Sequence, residues 1–163
     1  MKKISIILVI LILFSCKNNV EPKKNIPIPV VESNEPIFDS IKAQKYGADE
    51  YGMKQYVIAF LKKGPNRDLD STSAYDLQMA HLKNIGRMAD AGQLVLAGPF
   101  VDDGELRGIY VFNVTSVKEA QVLTETDPAI KAGSLTMELL PWYGSAALMG
   151  VNDEHKKVAK TFF

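Results

Sequence analysis

The sequence predicts an α+β domain in which four strands form one antiparallel sheet and two helices pack on it. Two observations carry that expectation. Between residues 55 and 140, short apolar β-branched runs and longer stretches of helical periodicity follow one another as strand, helix, strand, strand, helix, strand. The first and third strands are also apolar on both faces, and two helices cover only one face of a four-stranded sheet.

Residues 55–61, Gln-Tyr-Val-Ile-Ala-Phe-Leu, read as the first strand, and Lys62-Lys63-Gly64-Pro65-Asn66 stops it with turn chemistry. Ser71 or Ser73 is expected to cap a helix running to about Ala91, with Leu77, His81, Ile85, Met88 and Ala89 on its inner face and Gly92 as a left-handed stop. Residues 94–97 read as a buried second strand ended by Gly98-Pro99. Asp102-Asp103-Gly104 then turns the chain into a third strand over 106–113. Ser116-Val117-Lys118-Glu119 is a capping box, in which hydroxyl and carboxylate satisfy each other's orphan amides, and Val117, Ala120 and Leu123 give the second helix its buried face. Residues 136–140 close the pattern as a strand, with Pro141 at an edge or end position that tolerates a missing N–H. The order β-α-β-β-α-β is ferredoxin-like.

In the first strand Tyr56, Ile58 and Phe60 alternate with Val57, Ala59 and Leu61; in the third, Ile109 and Val111 alternate with Tyr110 and Phe112. A bare apolar sheet face exceeds what monomers expose, and a second sheet packed face to face covers it, so a homodimer is expected. The alternative cover is the linker or the tail over 152–160, which reads as helical.

The chain begins with an address. Lys2 and Lys3 precede an apolar run over 4–14, interrupted only by Ser5, which has the length of a signal sequence and is short for a membrane span. Leu13-Phe14-Ser15-Cys16 resembles a bacterial lipobox, which implies cleavage before Cys16 and acylation of that cysteine. Phe14 departs slightly from the commonest pattern, and an ordinary secretory signal is the alternative. Cys16 is the chain's single cysteine, so no internal disulfide can form, and acylation would leave no free thiol in an oxidising compartment. From residue 17 to about 50, Pro22, Pro27, Pro29 and Pro36 interrupt a Lys-, Asn- and Glu-rich stretch that reads as a semi-rigid tether, with Phe38, Ile41 and Tyr46 available to dock on the domain. The expected organisation is therefore a signal over 1–15, lipidated cysteine and tether over 16–50, a folded domain over 51–145 and a helical tail over 146–163. The lipid bilayer is a partner through acylated Cys16, and the expected location is the bacterial cell envelope, at the outer membrane.

Composition narrows the chemistry. Nineteen Lys and Arg balance nineteen Asp and Glu in 163 residues, and removal of a signal carrying Lys2 and Lys3 would leave the chain weakly acidic. Phosphate-backbone binding needs a basic excess, so no nucleic-acid partner is expected. Two histidines without companion cysteines offer little for a structural zinc site, and no glycine-rich phosphate cradle or serine nucleophile elbow occurs. No cofactor or metal is expected. Asp102 and Asp103 read as turn residues, and His155, beside Glu154, Lys156 and Lys157, as a solvated residue of the tail.

His81-Leu82, the run from Met88 to Phe100 (Met-Ala-Asp-Ala-Gly-Gln-Leu-Val-Leu-Ala-Gly-Pro-Phe), Gly108-Ile-Tyr-Val-Phe112, Ser116, Glu119-Ala120, Asp127-Pro128, Ala132-Gly133 and Pro141-Trp142 occur in order through the domain. Together they resemble the YCII-related family. The resemblance implies the dimeric α+β barrel architecture, in which two ferredoxin-like halves pack sheet to sheet, and an active site built on His81 and Asp127. A carboxylate that accepts from one imidazole nitrogen fixes the tautomer and leaves the other nitrogen as a general base. Each residue also has a structural explanation: His81 shares a helical face with Leu77 and Ile85, and Asp127 before Pro128 and Gly133 is a complete cap for a one-turn helix. Phe100 and Trp142 are candidate pocket walls or plain packing, as is Tyr143, and Gly98 with Pro99 would shape the loop beside a small organic ligand. Three functions remain open: a cofactor-free lyase- or isomerase-type enzyme that abstracts a proton, a small-molecule-binding module, and a structural or interaction dimer.

Overall fold

The computed structural model describes residues 37–161. The expected signal sequence, Cys16 and the proline-rich part of the expected tether lie outside the described residues. In chain order come α1 (Ser40–Tyr46), β1 (Met53–Lys63), α2 (Ser71–Asp90), β2 (Leu94–Pro99), β3 (Leu106–Phe112), α3 (Val117–Thr124), the one-turn α4 (Pro128–Lys131), β4 (Leu135–Ser145), a 3-10 turn (Ala146–Gly150) and α5 (Val151–Val158). The sheet order is β2-β3-β1-β4 and every neighbouring pair is antiparallel. This is the ferredoxin-like α+β fold.

The first and last strands run further than their composition suggests. β1 and β4 pair at eleven positions, from Met53 opposite Ser145 to Lys63 opposite Leu135, so β4 continues past Pro141 rather than stopping at residue 140. Only β1 flanks β4, and an edge strand is where a sheet tolerates proline. The cap of α2 is Asp70, not Ser71 or Ser73: its carboxylate accepts from the backbone N–H of Thr72 and of Ser73, both at 3.0 Å. A carboxylate there also complements the positive end of the helix dipole.

Part of the expected tether is folded. Asp39 caps α1 by accepting from the Lys42 N–H, and Gly47, at φ 68°, closes it in the left-handed conformation. Tyr46 sits against Gly150, where an added Cβ would lie 2.6 Å from the tyrosine hydroxyl. Phe38 and Ile41 stay exposed.

The helix-covered face of the sheet holds the main core, with Val57, Ala59 and Leu61 of β1, Tyr110 and Phe112 of β3, Leu94, and Met88, Ala120 and Leu123 from the helices. On the opposite face Tyr56, Val95 and Val111 are buried beneath Leu148 and Met149 of the 3-10 turn. Asn152 of α5 donates to the Leu94 carbonyl at 2.8 Å and pins the tail there. The tail thus covers one end of the second face. Phe60 and Ile109, and Ile58 and Leu140, are cross-strand pairs that continue this face, and Leu140 and Trp142 on it are well exposed.

Candidate active site

Three elements meet around one imidazole. His81 lies midway along α2, Tyr110 points from β3 into the same layer, and Asp127 is the N-cap of α4. Asp127 is held in place from several sides. Its own Oδ1 accepts from the Ala129 N–H at 2.9 Å, and one residue earlier Thr126 Oγ1 accepts from Arg87 Nη2 at 2.9 Å. Arg87 in turn grips Asn84 Oδ1 at 2.9 and 3.1 Å on the same helix. Pro128 at the first helical position and Gly133, at φ 69°, just beyond the end complete a helix of four residues.

The Asp127 carboxylate is fully buried, at 0% exposure, and both its oxygens lie 2.9 Å from His81 Nδ1. Capping and contact with the imidazole are therefore performed by one side chain. The Tyr110 hydroxyl is 3.3 Å from His81 Nε2 and 3.3 Å from Asp127 Oδ2, and its ring stacks on the imidazole with 20° between the planes. Burial, then the Asp127 charge and its hydrogen bond, push the Tyr110 phenol well above its usual range. Tyr110 is accordingly a proton donor in hydrogen bonds at any physiological pH, with two acceptors within reach.

A cavity of about 460 Å³ lies against this cluster. His81, Tyr110 and Ala129 line it, and Asp127 does not. Its walls are mainly aliphatic, with Leu61, Leu69, Leu77, Leu82, Ile85 and Leu135. Gly98, Pro99 and Gly108 contribute where β2 and β3 run closest: a Cβ on Gly108 would lie 2.6 Å from the Gly98 carbonyl oxygen. An alanine there would force the two strands apart at the cavity.

Of the residues singled out in the sequence, His81, Asp127, Gly98 and Pro99 converge on this place. Phe100 and Trp142 do not. Phe100 lies just past the end of β2 and is 42% exposed, absent from the cavity lining. Trp142 pairs across the strands with Tyr56, their ring centroids 5.9 Å apart, on the sheet face opposite the helices. Tyr143 donates to the Asp49 carboxylate at the other end of β4. Tyr110 was missed as a site residue, because within Gly-Ile-Tyr-Val-Phe it reads as one more apolar strand position. The available signal was strand alternation: Tyr110 shares its face with Phe112, toward the helix that carries His81. Among the described residues, no group of three or more His, Cys, Asp or Glu is placed to hold a metal ion.

Among solved structures the chain is similar to a 5-chloro-2-hydroxyhydroquinone dehydrochlorinase from Burkholderia phenoliruptrix AC1100, determined in complex with 2,5-dihydroxybenzoquinone; identity is 20%, coverage 55% of this chain and 93% of that one, and the TM-score 0.41. No curated protein matches. Residues 55–143, more than half of the chain and including the whole His81, Tyr110 and Asp127 cluster, match the YCII-related domain, and the chain belongs to that family.

Proposed function

We propose that this is a lipid-anchored envelope protein whose YCII domain performs cofactor-free proton transfer on a small organic molecule, as a lyase- or isomerase-type enzyme. One observation carries the chemistry: an imidazole in the wall of an apolar cavity has a fully buried carboxylate 2.9 Å from its Nδ1. With Nδ1–H donating to Asp127, the lone pair on Nε2 is the basic site. Tyr110 gates that lone pair. When its hydroxyl donates to Asp127 Oδ2, Nε2 is clear to take a proton from a carbon acid; when it donates to Nε2, the base is masked. The aliphatic walls lower the local polarity and so strengthen the polar contacts within. Anchoring at Cys16 is supported by the placement of the only cysteine directly after the signal-like run. A second copy packed on the open sheet face, as a homodimer, is supported by the apolar residues of β1, β3 and β4 that the tail leaves uncovered.

A binding module that holds its ligand without turnover is the second reading, and the aliphatic walls favour it equally. The tautomer of His81 separates the two. Long-range ¹H–¹⁵N spectra of native protein are expected to show His81 as the Nδ1–H tautomer, and Asp127→Asn to move it toward Nε2–H, because the amide can donate to Nδ1. Asparagine is also a good N-cap, which keeps α4 in place. Given a substrate, turnover should fall by roughly 10² to 10⁴ in the same variant. An unchanged tautomer would remove the general-base reading.

A further inference from the structure

The cavity lining carries two permanent cations. Arg67 and Arg107 line it, and among the described residues no aspartate or glutamate side chain does so; the nearest buried carboxylate, Asp127, stands behind His81. Arg67 comes from the connection between β1 and α2, and its Nη1 donates to the Ser134 carbonyl at 3.0 Å. Arg107 comes from β3, and its Nη1 donates to the Asp102 carbonyl at 2.9 Å. Each guanidinium is thus held by one nitrogen while most of its five N–H donors remain uncommitted. The Asp103 carboxylate stands 3.8 Å from Arg107 but is wholly exposed, so that pairing is weak and screened by solvent. Two anchored cationic forks beside an aliphatic chamber suit an anion that carries an apolar body.

We infer that the cavity takes a small apolar organic acid, its carboxylate gripped by Arg67 and Arg107 and its carbon skeleton against the leucine walls and His81. This deepens the proton-transfer reading and rests on it only for the role of His81. Planar forks match carboxylates in two-point hydrogen bonding; Arg107 is partly buried and Arg67 exposed, which puts the carboxylate end at the cavity's solvent side. The volume, about 460 Å³, is in the range of pockets for small ligands. A carboxylate fixed at the arginines also limits the orientations that the rest of the molecule can take against His81.

The test measures affinity, so it needs no substrate. Benzoate and cyclohexanecarboxylate are titrated into the full-length protein in detergent alongside benzamide and cyclohexanecarboxamide, which keep the shape and lose the charge. Each acid is expected to bind about tenfold or more tightly than its amide. Arg67→Gln and Arg107→Gln should each erase most of that preference, with the acid losing more affinity than its amide; Arg107→Lys should restore part of it. Equal affinity for acid and amide, no binding by either acid, or a preference untouched by both arginine variants would overturn the inference. Acid preference together with an unchanged His81 tautomer in Asp127→Asn would leave the anion site standing and sink proton transfer alone; the converse pair of results would do the opposite.

Discussion

Tyr110 lies 3.3 Å from both an imidazole nitrogen and a carboxylate oxygen, with 2% of its surface exposed. Ionising it would put a second negative charge beside Asp127 in a dry interior, which is why its phenol is driven upward. The consequence for stability has a definite sign. Below about pH 10 the phenol is protonated in both folded and unfolded chains and stability does not depend on it. Above that, the unfolded chain releases the proton and the folded one keeps it, so stability falls as pH rises, by up to about 1.4 kcal/mol per pH unit from this group. Tyr110→Phe is expected to flatten the alkaline limb of a plot of urea-unfolding free energy against pH; identical limbs would mean that Tyr110 ionises freely in the fold. The resemblance to the YCII-related family made His81 and Asp127 visible as a pair, whereas residue type and the Asp-Pro-x-x-x-Ala-Gly spacing by themselves read as a helix-face histidine and a helix cap. Tyr110 and the two arginines were opaque, since only tertiary packing distinguishes a tyrosine or arginine that lines a cavity from one that merely sits in a strand or a turn.

Helix ends show what local chemistry alone can specify. At α3 the Glu119 N–H donates to the Ser116 hydroxyl at 3.2 Å, while Glu119 accepts from the Ser116 N–H at 3.0 Å and from its hydroxyl at 2.8 Å. Those bonds, the Ser116 hydroxyl foremost, hold the Glu119 carboxyl below its usual range. A group depressed in this way stabilises at pH above its unfolded value and loses that contribution as pH falls through the carboxylate range. Ser116→Ala is expected to cost about 1 kcal/mol in chemical denaturation at neutral pH, with a smaller difference at acid pH where Glu119 is protonated. A gap that does not narrow on acidification would place the cap's worth in the hydroxyl alone. This box, the Gly92 stop and the Asp127-to-Gly133 turn were legible because the interacting groups lie within a few residues of one another. α1 was not legible: its Tyr46 meets Gly150 of the 3-10 turn, a contact more than a hundred positions away in sequence. The full reach of β4 was hidden for the same reason, since edge status, which licenses Pro141, belongs to the sheet and not to the strand.

At the scale of the molecule, the two-sided apolar strands called for a cover on both faces, and the chain itself supplies one and a part. Leu140 is exposed on the uncovered stretch, 43% accessible, and Glu138 on the same face is engaged with Lys62. Leu140→Glu would place two like charges at this surface, and again on any second copy packed against it. Native protein is expected to sediment as a dimer at micromolar concentration and Leu140→Glu as a folded monomer; a native monomer would show that the stretch is left bare. The sheet also has two distinct ends. α1 joins the fold beside Gly150 and the start of β1, while the cavity gathers Leu61, Pro99, Gly108 and Leu135 around the other end of the same strand. Eleven residues of β1, at about 3.3 Å each, separate those ends by roughly 35 Å. The domain therefore has two poles: a change made at α1 lies a full strand length from the cavity, so substitutions there are expected to leave ligand contacts at His81 untouched.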